Sequence, residues 1–166
     1  MPEDTAFIQV YTLYFDTVYR LCCIRLRSQT EAEDVTQETF FRAMQHTEVW
    51  QSGDEGYTKA WLLTTASNLC KNINSHWTHT RRVDLSEWAC AVETAPPPDD
   101  TRSDVLSAML RLPDHYKTVL YLFYYEGYSG TEIAEMLQKK ESTVRTLLSR
   151  GRKLLKKYLG GAQNAK

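Results

Sequence analysis

Apolar residues recur along this chain every three to four positions and almost never alternate, which predicts a nearly all-helical protein. A first helix, from about Thr5 to Arg27, gathers Phe7, Tyr11, Tyr14, Val18, Leu21 and Cys22 on one side. A second opens at Thr30, where Thr30-Glu-Ala-Glu33 has the spacing of a capping box. Its inward face is Ala32, Val35, Thr36, Thr39, Phe40, Ala43 and Met44. After the turn-rich stretch 51–56, a third helix from about Thr58 to Thr78 places Trp61, Leu62, Thr65, Ala66, Leu69 and Ile73 inward.

The texture then changes. Residues 91–101 contain Ala-Pro-Pro-Pro-Asp-Asp, which lacks backbone donors and apolar packing, and read as a semi-rigid exposed linker. Beyond it come short helices over about Asp104–Arg111 and Tyr116–Glu126, the latter closed by Gly127 in a left-handed cap. Ser129-Gly-Thr-Glu132 is a second capping box, starting a short helix with Ile133, Ala134 and Leu137 as its stripe. A last helix buries Val144, Leu147, Leu148, Leu154 and Leu155. The expected fold class is all-α, with two small helical domains joined by a flexible linker: 1–82, a linker over 83–102, 103–160, and a frayed tail over 161–166.

Charge sharpens this division. The formal net charge of −1 hides a polarity: residues 1–82 hold 8 basic and 10 acidic side chains, 83–101 hold 0 and 5, and 102–166 hold 12 and 6. From Lys139 to Lys157 there are eight cations and one anion, Glu141. A short helix, a turn and a basic second helix are the parts of a helix-turn-helix whose second helix lies in a DNA major groove, the other reading being a helical hairpin with a solvated lysine face.

Catalytic chemistry is not expected. The chain has no glycine-rich phosphate loop, His-Glu-x-x-His pair or nucleophile elbow. Cys70, His76 and His79 share one helix, but 70 and 76 stand about 600° apart around it and cannot converge on a metal. No metal or cofactor is therefore expected. Cys22, Cys23, Cys70 and Cys90 form no disulfide framework and read as reduced thiols, and no apolar run suits a membrane span. Both point to a cytoplasmic protein without membrane insertion. The third helix carries Trp61, Asn68, Lys71, Asn72, Asn74, His76 and Trp77; from the residues alone these read first as a core tryptophan beside solvated asparagines, and alternatively as stacking rings, base-edge amides and a cation for unstacked single-stranded bases.

Three segments in order resemble the bacterial RNA polymerase sigma factors of the sigma-70 family, in the small extracytoplasmic-function (ECF) group. Residues 30–43 are similar to the region 2 helix that docks on the polymerase clamp coiled coil. Residues 60–72 are similar to the helix that melts and reads the −10 element, and 112–158 are similar to region 4, which reads the −35 element.

The resemblance implies a transcription initiation factor that binds core RNA polymerase at clamp and flap, directs it to promoters and stabilises the melted strand. Asp34, Gln37, Glu38 and Arg42 are then the polymerase contacts, with Phe40 and Ala43 turned inward. Trp61, Asn68, Lys71, Asn72, Arg81 and Arg82 take the −10 strand. Ser142, Arg145, Thr146, Ser149, Arg150 and Lys153 face the −35 duplex. A dedicated anti-sigma partner is implied, and no obligate homo-oligomer. The chain departs from the family pattern at the turn, where Gln138 and Lys139 replace a glycine and an apolar residue, and Lys140-Glu141 replace a small N-cap. Leu147 stands where arginine is common, and Gly151 where alanine is common, a change expected to loosen the last helix by about 1 kcal/mol. From the residues alone an autonomous helix-turn-helix regulator, with an N-terminal dimerisation or sensing domain, is the alternative; a binding protein without DNA contact is a remote third.

Overall fold

The computed structural model describes residues 2–26, 28–76, 105 and 107–164. Arg81, Arg82, Trp77, His79 and the 83–102 linker lie outside the described residues. The chain divides into two compact units, residues 1–95 and 96–166, and among the described residues every regular element is a helix.

In the first unit, α1 (Pro2–Arg25), α2 (Gln29–Gln45), the short α3 (Glu48–Gln51) and α4 (Glu55–His76) enclose one core. That core is built from Val18, Leu21, Cys22, Ile24, Ala32, Val35, Ala43, Leu62, Leu63, Ala66 and Cys70, all buried. α2 starts earlier than its sequence suggests. Ser28, not Thr30, is the cap: its hydroxyl accepts from the Glu31 N–H at 3.1 Å, because Ser28-x-x-Glu31 is the same motif one half-turn upstream. Thr36 and Thr39 are buried, which β-branched hydroxyls tolerate only with a partner; they donate to the Ala32 and Val35 carbonyls at 2.7 and 2.8 Å. Met44 is a correction. It was expected inward but is 54% exposed, because the α2 stripe ends at Ala43. Tyr11, also expected inward, is partly exposed at the α1–α2 seam, its ring 4.9 Å from that of Phe40.

Two long-range bonds close the α2–α4 connection. Trp50 Nε1 donates to the Ala43 carbonyl at 2.9 Å, an end carbonyl of α2 that also accepts from the His46 N–H at 3.1 Å. Thr58 Oγ1 donates to the Val49 carbonyl at 2.7 Å. α4 itself starts with the Asp54 carboxylate accepting from the Tyr57 N–H at 3.1 Å. Its buried stripe is Thr58, Leu62, Leu63, Ala66, Ser67 and Cys70, so the helix is rotated from the expected face: Trp61, Thr65, Leu69 and Ile73 sit half-buried at its shoulders.

In the second unit, residues 107–110 are helical, and α5 (Asp114–Tyr124), α6 (Gly130–Leu137) and α7 (Glu141–Asn164) follow. Val119, Leu120, Tyr121 and Leu122 of α5 pack with Ile133 of α6 and with Val144, Leu148 and Leu155 of α7. Gly127 has φ +75°, and this conformation lets the Tyr128 N–H reach the Leu122 carbonyl at 3.0 Å. The Ser129–Glu132 capping box has both reciprocal bonds, at 3.1 and 3.4 Å. Gln138 caps α6 in the left-handed region, φ 54° and ψ 47°, at a cost of roughly 1–2 kcal/mol relative to glycine there. α7 continues to Asn164, past the boundary expected at Gly160.

Candidate nucleic-acid interface

Each helix that carries candidate chemistry has one apolar side spent on its own unit. The opposite side is therefore free of folding duties, and the sequence candidates fall there.

On α2, Asp34, Gln37, Glu38 and Arg42 are all exposed, while Phe40 and Ala43 are buried. Arg42 Nε donates to Glu38 Oε1 at 2.9 Å, an i,i+4 pair with both side chains about half exposed. Such a pair adds little to stability and orders the two side chains on the exposed face of α2. Phe41 lies among these four and is 54% exposed. Sequence reasoning passed over it, although its spacing of three and four from Glu38 and Gln37 already set it on their face.

On α4, Asn68, Lys71 and Asn72 are exposed and line up with Trp61, half-buried, along the side opposite Leu62, Ala66 and Cys70. Tyr57, 49% exposed and one turn before Trp61, extends this row; its i−4 spacing from Trp61 was the available signal. The Trp61 ring stands 5.7 Å from the His46 ring, and His46 Nδ1 lies 3.1 Å from the Glu48 carboxylate. Bonding from its own backbone N–H, then from His46, holds the Glu48 carboxyl below its usual value. The row thus offers two aromatic faces, amide groups and one cation along an exposed helix side, a set matched to stacking and edge-bonding of single-stranded bases. Asn74 does not belong to it. Its amide donates to the Arg25 carbonyl at 3.0 Å and joins α4 to the end of α1.

On α7, Ser142, Arg145, Thr146, Ser149, Arg150 and Lys153 are all exposed, as are Lys156 and Lys157 and, in the turn before the helix, Lys139 and Lys140. Val144, Leu148, Gly151 and Leu155 form the buried side. The Arg145 guanidinium lies 3.8 Å from Glu141, whose carboxylate also accepts from the Thr131 hydroxyl at 3.1 Å. Thr146 Oγ1 donates to the Ser142 carbonyl at 3.0 Å, leaving its oxygen free to accept. Gly151 has a role the sequence did not disclose: a Cβ there would lie 3.0 Å from Leu120 Cδ1 and 3.4 Å from Tyr116 Cβ. Its lack of a side chain lets α7 seat closely on α5. Among the described residues no three His, Cys, Asp or Glu side chains gather as a metal site, and no helix is long and apolar enough to cross a membrane.

A basic helix-turn-helix in one unit, and a helical bundle bearing aromatic-amide and polar faces in the other, define a two-module DNA-binding protein of the transcription machinery. Models of sigma-70 region 2 and sigma-70 region 4 match residues 10–83 and 102–155. The ECF RNA polymerase sigma factor SigW of Bacillus subtilis is 30% identical over 171 residues, covering 95% of this chain and 90% of SigW. BldN of Streptomyces coelicolor, another ECF RNA polymerase sigma factor, is 33% identical over 168 residues; the match covers 95% of this chain and 61% of BldN's length. In solved structures, RpoE of Bartonella quintana, crystallised with the anti-sigma factor NepR, shares the fold with a TM-score of 0.66 at 20% identity, covering 93% of this chain and 96% of that one. The chain belongs to the sigma-70 family, in its ECF group, and is a promoter-directing initiation factor of RNA polymerase.

Proposed function

We propose that the three exposed faces divide the work of initiation. The α2 strip of Asp34, Gln37, Glu38 and Arg42 docks on the clamp coiled coil of core polymerase. The α4 row of Trp61, Asn68, Lys71 and Asn72, joined by Tyr57, holds the opened −10 strand, and Arg81 and Arg82, outside the described residues, are assigned to the same strand by the family resemblance. Ser142, Arg145, Thr146, Ser149, Arg150 and Lys153 read the −35 duplex from the major groove. A base drawn out of the stack costs a few kcal/mol, so stacking rings and amides are the groups needed to offset it.

The observation that carries this reading is the sidedness of α7. Its six candidate positions are exposed while the intervening Val144, Leu148, Gly151 and Leu155 are buried, so one helix both anchors the unit and presents a cationic face. The factor acts by binding rather than by catalysis, in the cytoplasm, without an obligate homodimer. Tethering to polymerase supplies the effective concentration that a weakly charged first unit does not. The flap is the second polymerase contact, and an anti-sigma protein is the proposed regulator, as the neighbour in complex with NepR suggests. A match spanning both halves of the chain favours this reading over an autonomous regulator.

The test is reconstitution with core polymerase. The full chain is expected to form a stable complex and give promoter-specific run-off transcripts, and Asp34→Ala with Gln37→Ala to weaken the complex without changing thermal unfolding. Unchanged core affinity in that double variant removes α2 from the interface.

A further inference from the structure

Among the eight cations from Lys139 to Lys157 stands a single anion, Glu141, the first residue of α7. We propose that Glu141 is a specificity-determining residue of the −35 contact, its carboxylate accepting a hydrogen bond from the N4 amino group of a cytosine in the major groove. This rests on the assignment of α7 to the −35 duplex and adds a base reader to it.

A carboxylate on a phosphate-binding surface weakens attraction to every DNA sequence alike. A negative charge in the first turn suits the helix dipole, but that role needs no particular orientation of the side chain. The orientation here is particular. Oε1 of Glu141 accepts from the Thr131 hydroxyl of α6 at 3.1 Å, across the turn, and the same oxygen lies 3.8 Å from Arg145 Nη2. Both contacts fall on one oxygen, and among the described residues Oε2 takes no hydrogen bond. The side chain is 56% exposed. The carboxylate is therefore tethered at one oxygen and open at the other.

Placement and charge choose what the open oxygen meets. Glu141 stands four residues before Arg145, and residues so spaced share a side of the helix. Residues at the start of a recognition helix are those that contact base edges. An ionised carboxylate only accepts hydrogen bonds. In the major groove guanine offers acceptors alone, and thymine an acceptor and a methyl group. Adenine sets its N7 acceptor beside its amino group, which repels a carboxylate, whereas cytosine presents its amino group without one. Arg145, with donors only, suits a guanine. One helical turn advances about 5.4 Å and one base pair about 3.4 Å, so the two side chains read different pairs.

The test is selection by holoenzyme, reconstituted from core polymerase and the full chain, from duplex DNA randomised over a promoter length. For the parent chain one −35 position should favour cytosine about tenfold. Glu141→Ala should abolish that preference, leave the position read by Arg145 unchanged, and strengthen binding to sequences that lack the cytosine, because an anion has left the surface. Glu141→Gln keeps an acceptor for Thr131, and should move the preference to adenine, whose N6 and N7 pair with an amide. A base profile unchanged in both variants overturns the proposal. So does a loss confined to the guanine position of Arg145, which makes Glu141 a support for the arginine. Arg145→Ala, run alongside, separates the two levels. If it alone relaxes a position, the assignment of α7 stands without Glu141; if no variant changes the profile, that assignment falls as well.

Discussion

The Arg25 guanidinium donates to both oxygens of Ser67, the hydroxyl at 2.9 Å and the backbone carbonyl at 3.0 Å, and so ties the end of α1 to the middle of α4. Arg25 is only 7% exposed, and its own carbonyl accepts from Asn74 seven residues further along α4. Two bonds a helical repeat apart set the rotation of α4. Because Ser67 is turned inward, its neighbour Asn68 is turned out, together with Lys71 and Asn72. A buried cation thus positions the face proposed for the −10 strand.

Arg25→Ala should lower stability by roughly 2–3 kcal/mol, since hydrogen bonds to a charged group are lost and buried Ser67 oxygens are left without that donor. Urea unfolding of the full chain measures this. A loss below about 0.5 kcal/mol, the range of ordinary surface changes, would show that these bonds do not hold the helices together.

Gly151→Ala is expected to destabilise the second unit despite alanine's better helix propensity. The substitution gains about 1 kcal/mol in the helix, but overpacking against a fully buried Leu120 costs about 1–3 kcal/mol. With Leu120 Cδ1 only 3.0 Å from the new methyl, the expected net loss is about 1 kcal/mol. A rise in the unfolding midpoint would restore the reading of Gly151 as a simple helix weakener.

Lys139 and Lys140, exposed in the turn before α7, should act as phosphate contacts rather than as readers of sequence. Replacing both with alanine is expected to reduce the salt slope of promoter binding by about 2, uniformly across promoter sequences. Arg145→Ala should instead relax base preference at one −35 position, with about 1–3 kcal/mol of discrimination lost. Holoenzyme titrations at several salt concentrations separate the two behaviours; an unchanged slope in the lysine double variant would place the turn away from the duplex.

Alkaline pH should unfold the first unit through its thiols. Burial is the main influence that pushes the Cys23 thiol up from 9.0 to about 11, against a lowering hydrogen bond from Tyr19. Burial also raises Cys22, with Cys70 beside it. The native state keeps these protons while the unfolded chain releases them first, so the stabilising contribution is complete below pH 9.0 and is lost towards about pH 11. Chemical unfolding across that interval should show a steeper decline for the parent chain than for Cys23→Ala; parallel declines would exclude the thiol.

Much of this was legible because caps and stripes are local. The Ser129–Glu132 box, the inward Phe40 and Ala43 of α2, and the outward Arg145, Ser149 and Lys153 follow from spacings within a few turns. Failures came where a neighbour decided. Met44 fits the apolar period of α2, yet no helix among the described residues covers it. Asn74 resembles the other amides of α4 but faces a carbonyl of α1. Thr30 and Ser28 both begin a capping motif, and only the path of the chain from α1 selects between them.

By itself the sequence determined the helices, their polar and apolar sides and the basic character of the second unit, since each depends on periodicity and charge within a short stretch. Tertiary structure alone decided the rotation of α4, the close seating of Gly151 on Leu120 and the exposure of Met44. These depend on which surfaces meet, and residues as far apart in the chain as Arg25 and Ser67 carry no local signal of their meeting.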